Sequence, residues 1–576
     1  MEFILTKMQN RGLLDGPACA EVRRAMAEGV LIEDALIERA ALPEDQVLRF
    51  LGEEFGVPYV DVDSVQVDPV LMGEFPAGLL LRHGLLPLEE TDGDVLVAAS
   101  RLFESGGMDQ LRLATGRELQ PALAPAAEIA RCLRRHLGVG ADTVQSLVSH
   151  ADESAVQVLG EPEEAVDLGE EAEDASIIRF VNQVLTEGIE VRATDVHFEP
   201  FEEELRVRYR IDGVLQEAKV PAGVRRFQAA IVSRLKILSL LDIAEKRLPQ
   251  DGRIKLRIRE REIDVRVSVI PMLHGEAVVL RLLDRSAALF GLEGLGMSAR
   301  DQDMVARLCE LPHGIVLVTG PTGSGKTTTL YAALSRINDV RRKIITIEDP
   351  IEYHLYGINQ IQVATKAGLT FGRGLRSILR HDPDVILVGE IRDLETAEIA
   401  VQSSLTGHLV FSTLHTNDAP GAATRLVDMG VEPYLVASSL EAVLAQRLVR
   451  LICPHCRRDY TPSEAEAELL RAELPGDEIG VLQRGAGCRE CQGTGYRGRT
   501  GVFELMPVTE SVRALVLRGA SAGEIRRQAA QEGMLSLRED GWRHVLEGRT
   551  TVEEVLRVTK DERVGGSAAW AAAGEG

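Results

Sequence analysis

Aromatic side chains, cysteines and positive charge are all scarce in this 576-residue chain, at 4%, seven residues and 65 Lys plus Arg against 89 Asp plus Glu. No run approaches the roughly 18 uninterrupted apolar residues that a membrane-spanning helix needs, so nothing in it is expected to cross a bilayer unaided. The start, Met1-Glu2-Phe3-Ile4-Leu5-Thr6-Lys7, lacks the basic region and long apolar core of a secretory signal, which points to a cytoplasmic chain. In that compartment seven cysteines are not expected to form disulfides. The net charge is −24, and no stretch is both basic and rich in aromatics. Both facts argue against a nucleic-acid translocase, which needs cations and stacking platforms along its track. What remains is 45% apolar and 27% charged, an ordinary globular mixture long enough for about four folding units.

The units read off in order. In residues 1–150, Leu48, Leu51 and Phe55 recur at helical spacing before Val57-Pro58-Tyr59-Val60, and an Asp92-Gly93 turn precedes the apolar run Val95–Ala99. No catalytic motif stands there, and an α+β docking module is predicted. Residues 151–175 hold acidic side chains and no Lys or Arg, so they read as a flexible linker that cannot bury enough surface to order itself. From 176 to 288, an apolar helix face (Ile177, Val181, Val184, Leu185) precedes alternating strands. Leu205, Val207, Tyr209 and Ile211 alternate with Arg206, Arg208 and Arg210, and Ile263, Val265, Val267 and Val269 alternate with Asp264, Arg266 and Ser268. Asp212-Gly213 is a hairpin turn. The pattern predicts an antiparallel sheet with one arginine-bearing face. Residues 289–450 alternate continuous apolar strands (314–319, 343–347, 385–388, 409–412) with helices, as in a parallel sheet buried on both sides. A cysteine module over 451–500, a helical region over 501–560 with a capping box at Thr551 and Glu554, and a disordered Gly/Ala-rich tail over 561–576 complete the reading.

The nucleotide chemistry sits in the fourth of these segments. Gly320-Pro321-Thr322-Gly323-Ser324-Gly325-Lys326-Thr327 fits G-x-x-x-x-G-K-[ST] between an apolar strand and a helix, with Thr328 following. Glycines let backbone N–H groups close around phosphate oxygens, and the helix N-terminus adds positive potential. Lys326 brings a charge to the β and γ phosphates, and the Thr327 hydroxyl can ligate Mg²⁺, which makes ATP with Mg²⁺ the expected ligand. Glu348-Asp349-Pro350-Ile351-Glu352 and Gly389-Glu390 end the next two strands, where ligands of open α/β sheets bind. A carboxylate there can hold the magnesium shell or orient a water, and Gly389 stands where many P-loop enzymes carry an Asp, which leaves Glu390 as the acid. His408 and His415 flank one more strand, either as structural groups or as sensors of the γ phosphate. Cys453-Pro454-His455-Cys456 and Cys488-Arg489-Glu490-Cys491 are paired C-x-x-C knuckles, the pattern of a closed four-thiolate Zn²⁺ site with a structural role. Cys19, Cys132 and Cys309 read as buried apolar residues.

Taken together these blocks resemble the secretion ATPase superfamily, the hexameric motors of type II secretion and type IV pilus assembly. The resemblance runs from about residue 40 to about residue 560. It is carried by Asp195–Pro200, Lys246-Arg247-Leu248-Pro249-Gln250-Asp251-Gly252-Arg253, the P-loop, Glu348–Glu352, Gly389-Glu390, Thr406–His415, the four cysteines (absent from pilus retraction ATPases), Leu537–Gly541 and Thr550–Thr559. It implies an α/β multidomain chain: a RecA-like P-loop motor domain, a preceding PAS-like α+β domain, an N-terminal α+β docking domain and a zinc module. It implies that Arg266 and Arg281 of the sheet domain, and Arg376 and Arg380 of the motor domain, serve the nucleotide, with Lys326, Glu390, Glu352, His408 and His415. It further implies ATP hydrolysis to ADP and phosphate that drives pseudopilus assembly and protein export, with pilus extension as the alternative. The implied partners are further copies of the chain in a hexamer and inner-membrane platform proteins met through the N-terminal domain. That would hold the protein on the cytoplasmic face of the inner membrane, touching the membrane only through partners. Some relatives carry a repeated arginine-glycine motif for cyclic di-GMP. Only fragments occur here, around Val22–Ile37, so that ligand is not expected.

Overall fold

The computed structural model describes residues 2–62, 65, 67–91, 93–104, 106–137, 168–258, 261–284, 291–474 and 480–559. Contacts divide the chain into two units, Met1–Asp284 and Arg285–Gly576.

In the first unit, helices that include Gly16–Ala27, Glu44–Phe55 and Ala126–Leu137 accompany a three-stranded sheet of β1 (Leu86–Thr91), β2 (Asp94–Ala99) and β3 (Glu118–Leu123). β2 is the expected apolar run, and Val95, Val97 and Ala98 enter the core. Residue 92 of the expected turn lies outside the described residues. Gly93 takes φ +93°, a backbone angle that favours glycine.

The acidic stretch departs from expectation. Residues 151–167 lie outside the described residues, but the helix Leu168–Glu190 begins inside the segment read as linker. Its first turns, Leu168-Gly169-Glu170-Glu171-Ala172-Glu173, are mostly good helix formers. Charge density hid a helix start. That helix and Gln228–Leu238 share one core with a six-stranded antiparallel sheet: β4 (Ala193–Pro200), β5 (Leu205–Ile211), β6 (Val214–Ala218), β7 (Gln250–Ile258), β8 (Arg261–Met272) and β9 (Gly275–Asp284), in the order β6-β5-β4-β9-β8-β7. Val196, Phe198, Val207, Tyr209, Val265, Val267 and Leu280 fill that core with Phe180, Val184 and Leu235. Asp212 and Gly213 join β5 to β6 at φ +48° and +87°, the two-residue turn that matches strand twist.

The second unit is built on β10 (Gly314–Thr319), β11 (Ile344–Glu348), β12 (Asn359–Gln362), β13 (Val385–Val388), β14 (Leu409–Leu414) and β15 (Leu440–Ile452), all parallel. Alternate residues of β10 enter different cores: Ile315 and Leu317 join Val388 and Val410 on one face, Val316 and Val318 join Leu330 and Phe411 on the other. This is the expected RecA-like sheet. Between β15 and the last strand lie β16 (Arg457–Tyr460) and β17 (Leu482–Gly485), an antiparallel pair; β18 (Tyr496–Pro507) then returns antiparallel to β15, closing the order β12-β11-β13-β14-β10-β15-β18.

The cysteine module is therefore an insertion between two paired strands, not a separate unit after the motor. The boundary expected at 450 cuts through β15, and the region read as helical from 501 opens with seven residues of β18 (Gly501–Pro507). The buried run Val502–Met506 is strand because β15 presents it with a long antiparallel partner. Trp542, Val545, Val552 and Val555, from helices Leu537–Leu546 and Val552–Val558, pack with Leu470 and Leu482 of the insertion. Thr551 caps its helix by accepting from the Glu554 N–H, but the Glu554 carboxylate turns to Arg450 and Arg557, so the expected capping box is half formed. The tail from 560 onward lies outside the described residues.

Candidate nucleotide and metal sites

Because β10, β13 and β14 are parallel neighbours, their C-terminal ends share one edge of the sheet. β10 ends in the glycine loop. Gly320, Gly323 and Gly325 have φ of +149°, +79° and +88°, and a Cβ on Gly320 would stand 2.5 Å from the Gln446 carbonyl oxygen, so the curl needs glycine. Pro321, Thr322 and Gly323 are exposed, Thr327 and Thr328 half-buried, and the buried Ser324 hydroxyl has no hydrogen-bond partner. Lys326 Nζ donates to the carbonyls of Gly320 (2.8 Å) and Pro321 (3.1 Å). Burial pushes its pKa down to about 8; attraction by Glu390 opposes this and repulsion by Arg447 adds to it. A cation folded over an exposed glycine loop suits phosphate oxygens.

β13 ends in Gly389-Glu390. A Cβ on Gly389 would lie 3.2 Å from the Ile347 carbonyl oxygen and 3.3 Å from Glu348 Cα, so a side chain there would crowd the neighbouring strand. Glu390, 12% exposed, pairs with Arg392 (2.6 Å) and meets His415 Nε2 at 3.3 Å. Lys326, Glu390 and His415 thus form one cluster from three sequence-distant blocks. His408 is not part of it. It precedes β14, at the opposite end of that strand and about 20 Å away at strand rise, where its Nδ1 meets the Ser403 carbonyl at 2.8 Å.

The acids after β11 separate by environment. Glu348 is buried, and its oxygens accept from Thr346 Oγ1 (2.6 Å), Gln360 Nε2 (3.2 Å) and the Tyr331 hydroxyl. Asp349 is exposed and Glu352 half-buried, with the Glu352 backbone N–H directed to the Tyr331 hydroxyl. Arg376 pairs with Glu395, and Arg380 bonds the Arg376 carbonyl (2.8 Å) and Ser377 Oγ (3.2 Å). No hydrogen bond among the described residues joins either arginine to the glycine loop or Glu390.

In the first unit, Arg266 and Arg281 are directly opposed across β8 and β9. Arg253 faces Arg266 from β7, and Asp195 lies between Arg281 and Arg210. Asp195, buried, accepts from Arg281 Nε at 3.0 Å. Four arginines and one carboxylate thus stand in a single cross-strand row. Arg210 was legible in the alternating pattern and Arg253 in the Lys246–Arg253 block, but neither carried a site assignment. Gln446 and Arg447 against the glycine loop were also missed, although a Gln-Arg pair inside the apolar run Leu440–Ile452 is the kind of local inconsistency that marks a site.

The four cysteines meet as expected. All four Sγ atoms lie within 4.8 Å of one another, with Cys453–Cys488 and Cys456–Cys491 at 3.8 Å and Cys488–Cys491 at 3.7 Å. Zn–S bonds of about 2.3 Å in a tetrahedron require S···S edges of about 3.8 Å, whereas a disulfide needs about 2.05 Å. Burial works against a Cys491 thiolate, but N–H groups of Cys488 (3.1 Å) and Gly495 (3.2 Å) outweigh it and bring the thiol down to about 7. The residues fit a structural metal. Cys19, Cys132 and Cys309 are buried.

Among the described residues no helix is long and apolar enough to cross a membrane. The sequence pattern of the Type II/IV secretion system protein family matches residues 170–557, and that of the MshEN domain matches 55–142. The chain is 57% identical over 399 residues to type II secretion system protein E of Pseudomonas aeruginosa, covering 69% of this chain and 78% of the relative. It is 44% identical to type II secretion system protein E of Xanthomonas campestris pv. campestris, over 97% of this chain and 98% of the relative. It is 42% identical to the type IV pilus assembly ATPase PilB of Myxococcus xanthus, over 94% and 97%. With a glycine loop, an acid and a histidine on one sheet edge inside a stretch that matches from 170 to 557, the chain belongs to the Type II/IV secretion system protein family.

Proposed function

We propose that this protein hydrolyses ATP to ADP and phosphate and uses the cycle to drive pseudopilus assembly and protein export by a type II secretion system. The observation that carries the reading is the cluster of Lys326, Glu390 and His415 on one sheet edge. Residues Gly320–Thr328 would hold the phosphates of ATP; Mg²⁺, ligated by Thr327, would neutralise their charge. Glu390, helped by Glu352, would orient the attacking water, with Glu348 and Asp349 at the edge of the site. Arg266 and Arg281, with Arg376 and Arg380, would stabilise the charge that develops, since a planar guanidinium matches phosphate oxygens. Hydrolysis would act through a ring of copies, in our reading a hexamer, docked by residues 1–150 to inner-membrane platform proteins on the cytoplasmic face.

Relatives from both machines match nearly the whole chain, so the working test separates them. Deleting the gene in its host is expected to abolish export of secreted proteins and to leave surface pili in place; loss of pili with intact export would move the assignment to pilus extension. For the cysteine site, metal analysis of the purified chain should return one Zn²⁺ per polypeptide. Cys488→Ser should lose it and unfold the insertion at lower temperature. Metal-free protein with unchanged unfolding would sink the zinc assignment.

A further inference from the structure

β15 runs beside β10 and brings two polar residues to the base of the glycine loop. Gln446 is buried, and its Oε1 accepts from Thr329 Oγ1 at 2.7 Å, tying the strand to the helix that follows the loop. Arg447 lies against the loop's first residue: a Cβ on Gly320 would stand 3.1 Å from its Nη1. All its hydrogen bonds among the described residues end on carbonyl oxygens. Nη1 donates to Gln446 O (3.3 Å), and Nη2 donates to both Asn417 O (3.1 Å) and Asn417 Oδ1 (3.2 Å). Burial pushes this guanidinium below the usual arginine range despite the attraction of Asp418 and Glu504. A half-buried cation is costly unless its geometry serves something, and here the fork grips one turn.

That turn is the segment after β14. Its Thr416 N–H donates to Thr319 Oγ1 (2.9 Å), and the hydroxyls of Thr319 and Thr416 meet at 2.8 Å. His415, immediately before, reaches Glu390. The segment is therefore fastened to the glycine loop's own strand by Thr319 and to the neighbouring strand by Arg447, and it holds the acid on its other side.

We propose that Arg447 is a positioning residue for ATP hydrolysis: by holding Asn417 it fixes His415, and through it Glu390, relative to the glycine loop. The inference rests on the reading of Glu390 as the water-orienting acid. It needs no contact between Arg447 and nucleotide, so it predicts a defect in the chemical step and not in binding.

The test uses the full-length chain, with steady-state ATPase kinetics and binding of a fluorescent ADP analogue in the presence of Mg²⁺. Misplacing an acid by about 1 Å can cost about 100-fold, so Arg447→Gln should lower kcat by at least about tenfold while ADP affinity stays within about threefold. Asn417→Ala is an exposed change that spares the backbone acceptor, and should lower kcat by about threefold. The double variant should be no slower than Arg447→Gln, because both changes break one link. Arg447→Lys keeps the charge without the fork and should recover only part of the rate. The proposal is overturned if Arg447→Gln turns over within about twofold of the parent, if the two losses multiply, or if ADP affinity falls as far as kcat does. Glu390→Gln separates the two levels. Slow turnover there with normal Arg447→Gln defeats only the role of Arg447, whereas normal turnover in Glu390→Gln removes the underlying reading and this proposal with it.

Discussion

Two charged groups in the second unit, the half-buried Lys326 and the buried Glu554, meet their surroundings in opposite ways. Glu554 is fully buried, yet Arg450 (2.6 Å) and Arg557 (2.8 Å) grip its oxygens, and although burial works against the anion these bonds hold its pKa down to about 2. Among the described residues the Lys326 ammonium is bonded only to two carbonyls, and burial brings it down to about 8. The first charge is satisfied by its own chain, as a group that holds structure must be. The second keeps its charge only weakly among the chain's own groups, which is the electrostatic signature of a site that takes an anion from outside. The Arg450–Glu554–Arg557 cluster lacks that signature, because its charges answer one another. Perturbed pKa alone does not distinguish structure from function; the identity of the compensating partner does.

The sharpest way to break this contrast is to remove each charge and ask what is lost. Lys326→Ala should reduce ATP turnover by about 100- to 1,000-fold, a loss of about 3–4 kcal/mol of transition-state stabilisation. Its unfolding midpoint in urea should hardly move, because the removed ammonium paired with no carboxylate by hydrogen bond. Steady-state turnover and urea unfolding on the same preparation decide it, and a Lys326→Ala variant that keeps full turnover would refute the nucleotide assignment.

Glu554→Gln should do the reverse. It leaves Arg450, only 15% exposed, without its counter-charge and should destabilise the unit by about 3 kcal/mol. Turnover per folded molecule should stay near the parent value. The pH dependence follows from the sign of the shift. The folded carboxylate is held near 2, below the ordinary 4.5, so its contribution is complete above pH 4.5 and is lost as pH falls from 4.5 toward 2. The gap between parent and variant in urea should therefore shrink across that window, and a constant gap would mean that Glu554 supports the fold by packing and not by charge.

The same contrast explains what the sequence made legible. A glycine loop between an apolar strand and a helix, paired C-x-x-C knuckles and alternating arginines are local patterns that encode local geometry, and each appears where the spacing placed it. Glu390 was readable because it closes an apolar strand. His408 and His415 looked equivalent in sequence, and only the direction of β14 separates them: one end carries the ligand edge and the other does not. Arg447, Gln446 and Glu554 act through partners 30 to 117 residues away, Asn417, Thr329 and Arg450, and such pairings follow from strand order. That order was hidden because the cysteine insertion separates β15 from β18. The acidic stretch misled at its end: composition suggested no structure where Leu168-Gly169-Glu170-Glu171-Ala172 already begins a helix.

The smallest effect that sharpens the contrast is a pH profile of nucleotide binding. With Lys326 held near 8 in the free protein, its ammonium is complete at pH 7, half present at pH 8 and largely gone at pH 9. Phosphate oxygens bind the charged form, so nucleotide and proton are taken up together above pH 8. If only the charged form binds, affinity for ADP with Mg²⁺ should weaken by about tenfold between pH 7 and pH 9, and binding should absorb about half a proton per site at pH 8 and close to one at pH 9. The charged groups that bear on Lys326 are Glu390 and Arg447. Arg447→Gln removes a repulsion and should move the profile to higher pH, and Glu390→Gln removes an attraction and should move it lower. Glu554→Gln should leave it where it is, because that carboxylate answers to its own two arginines. Calorimetry in two buffers of different protonation enthalpy reads the proton uptake directly, and a flat profile from pH 7 to 9 would show that the loop lysine is compensated as fully as Glu554 and would erase the distinction between the two sites.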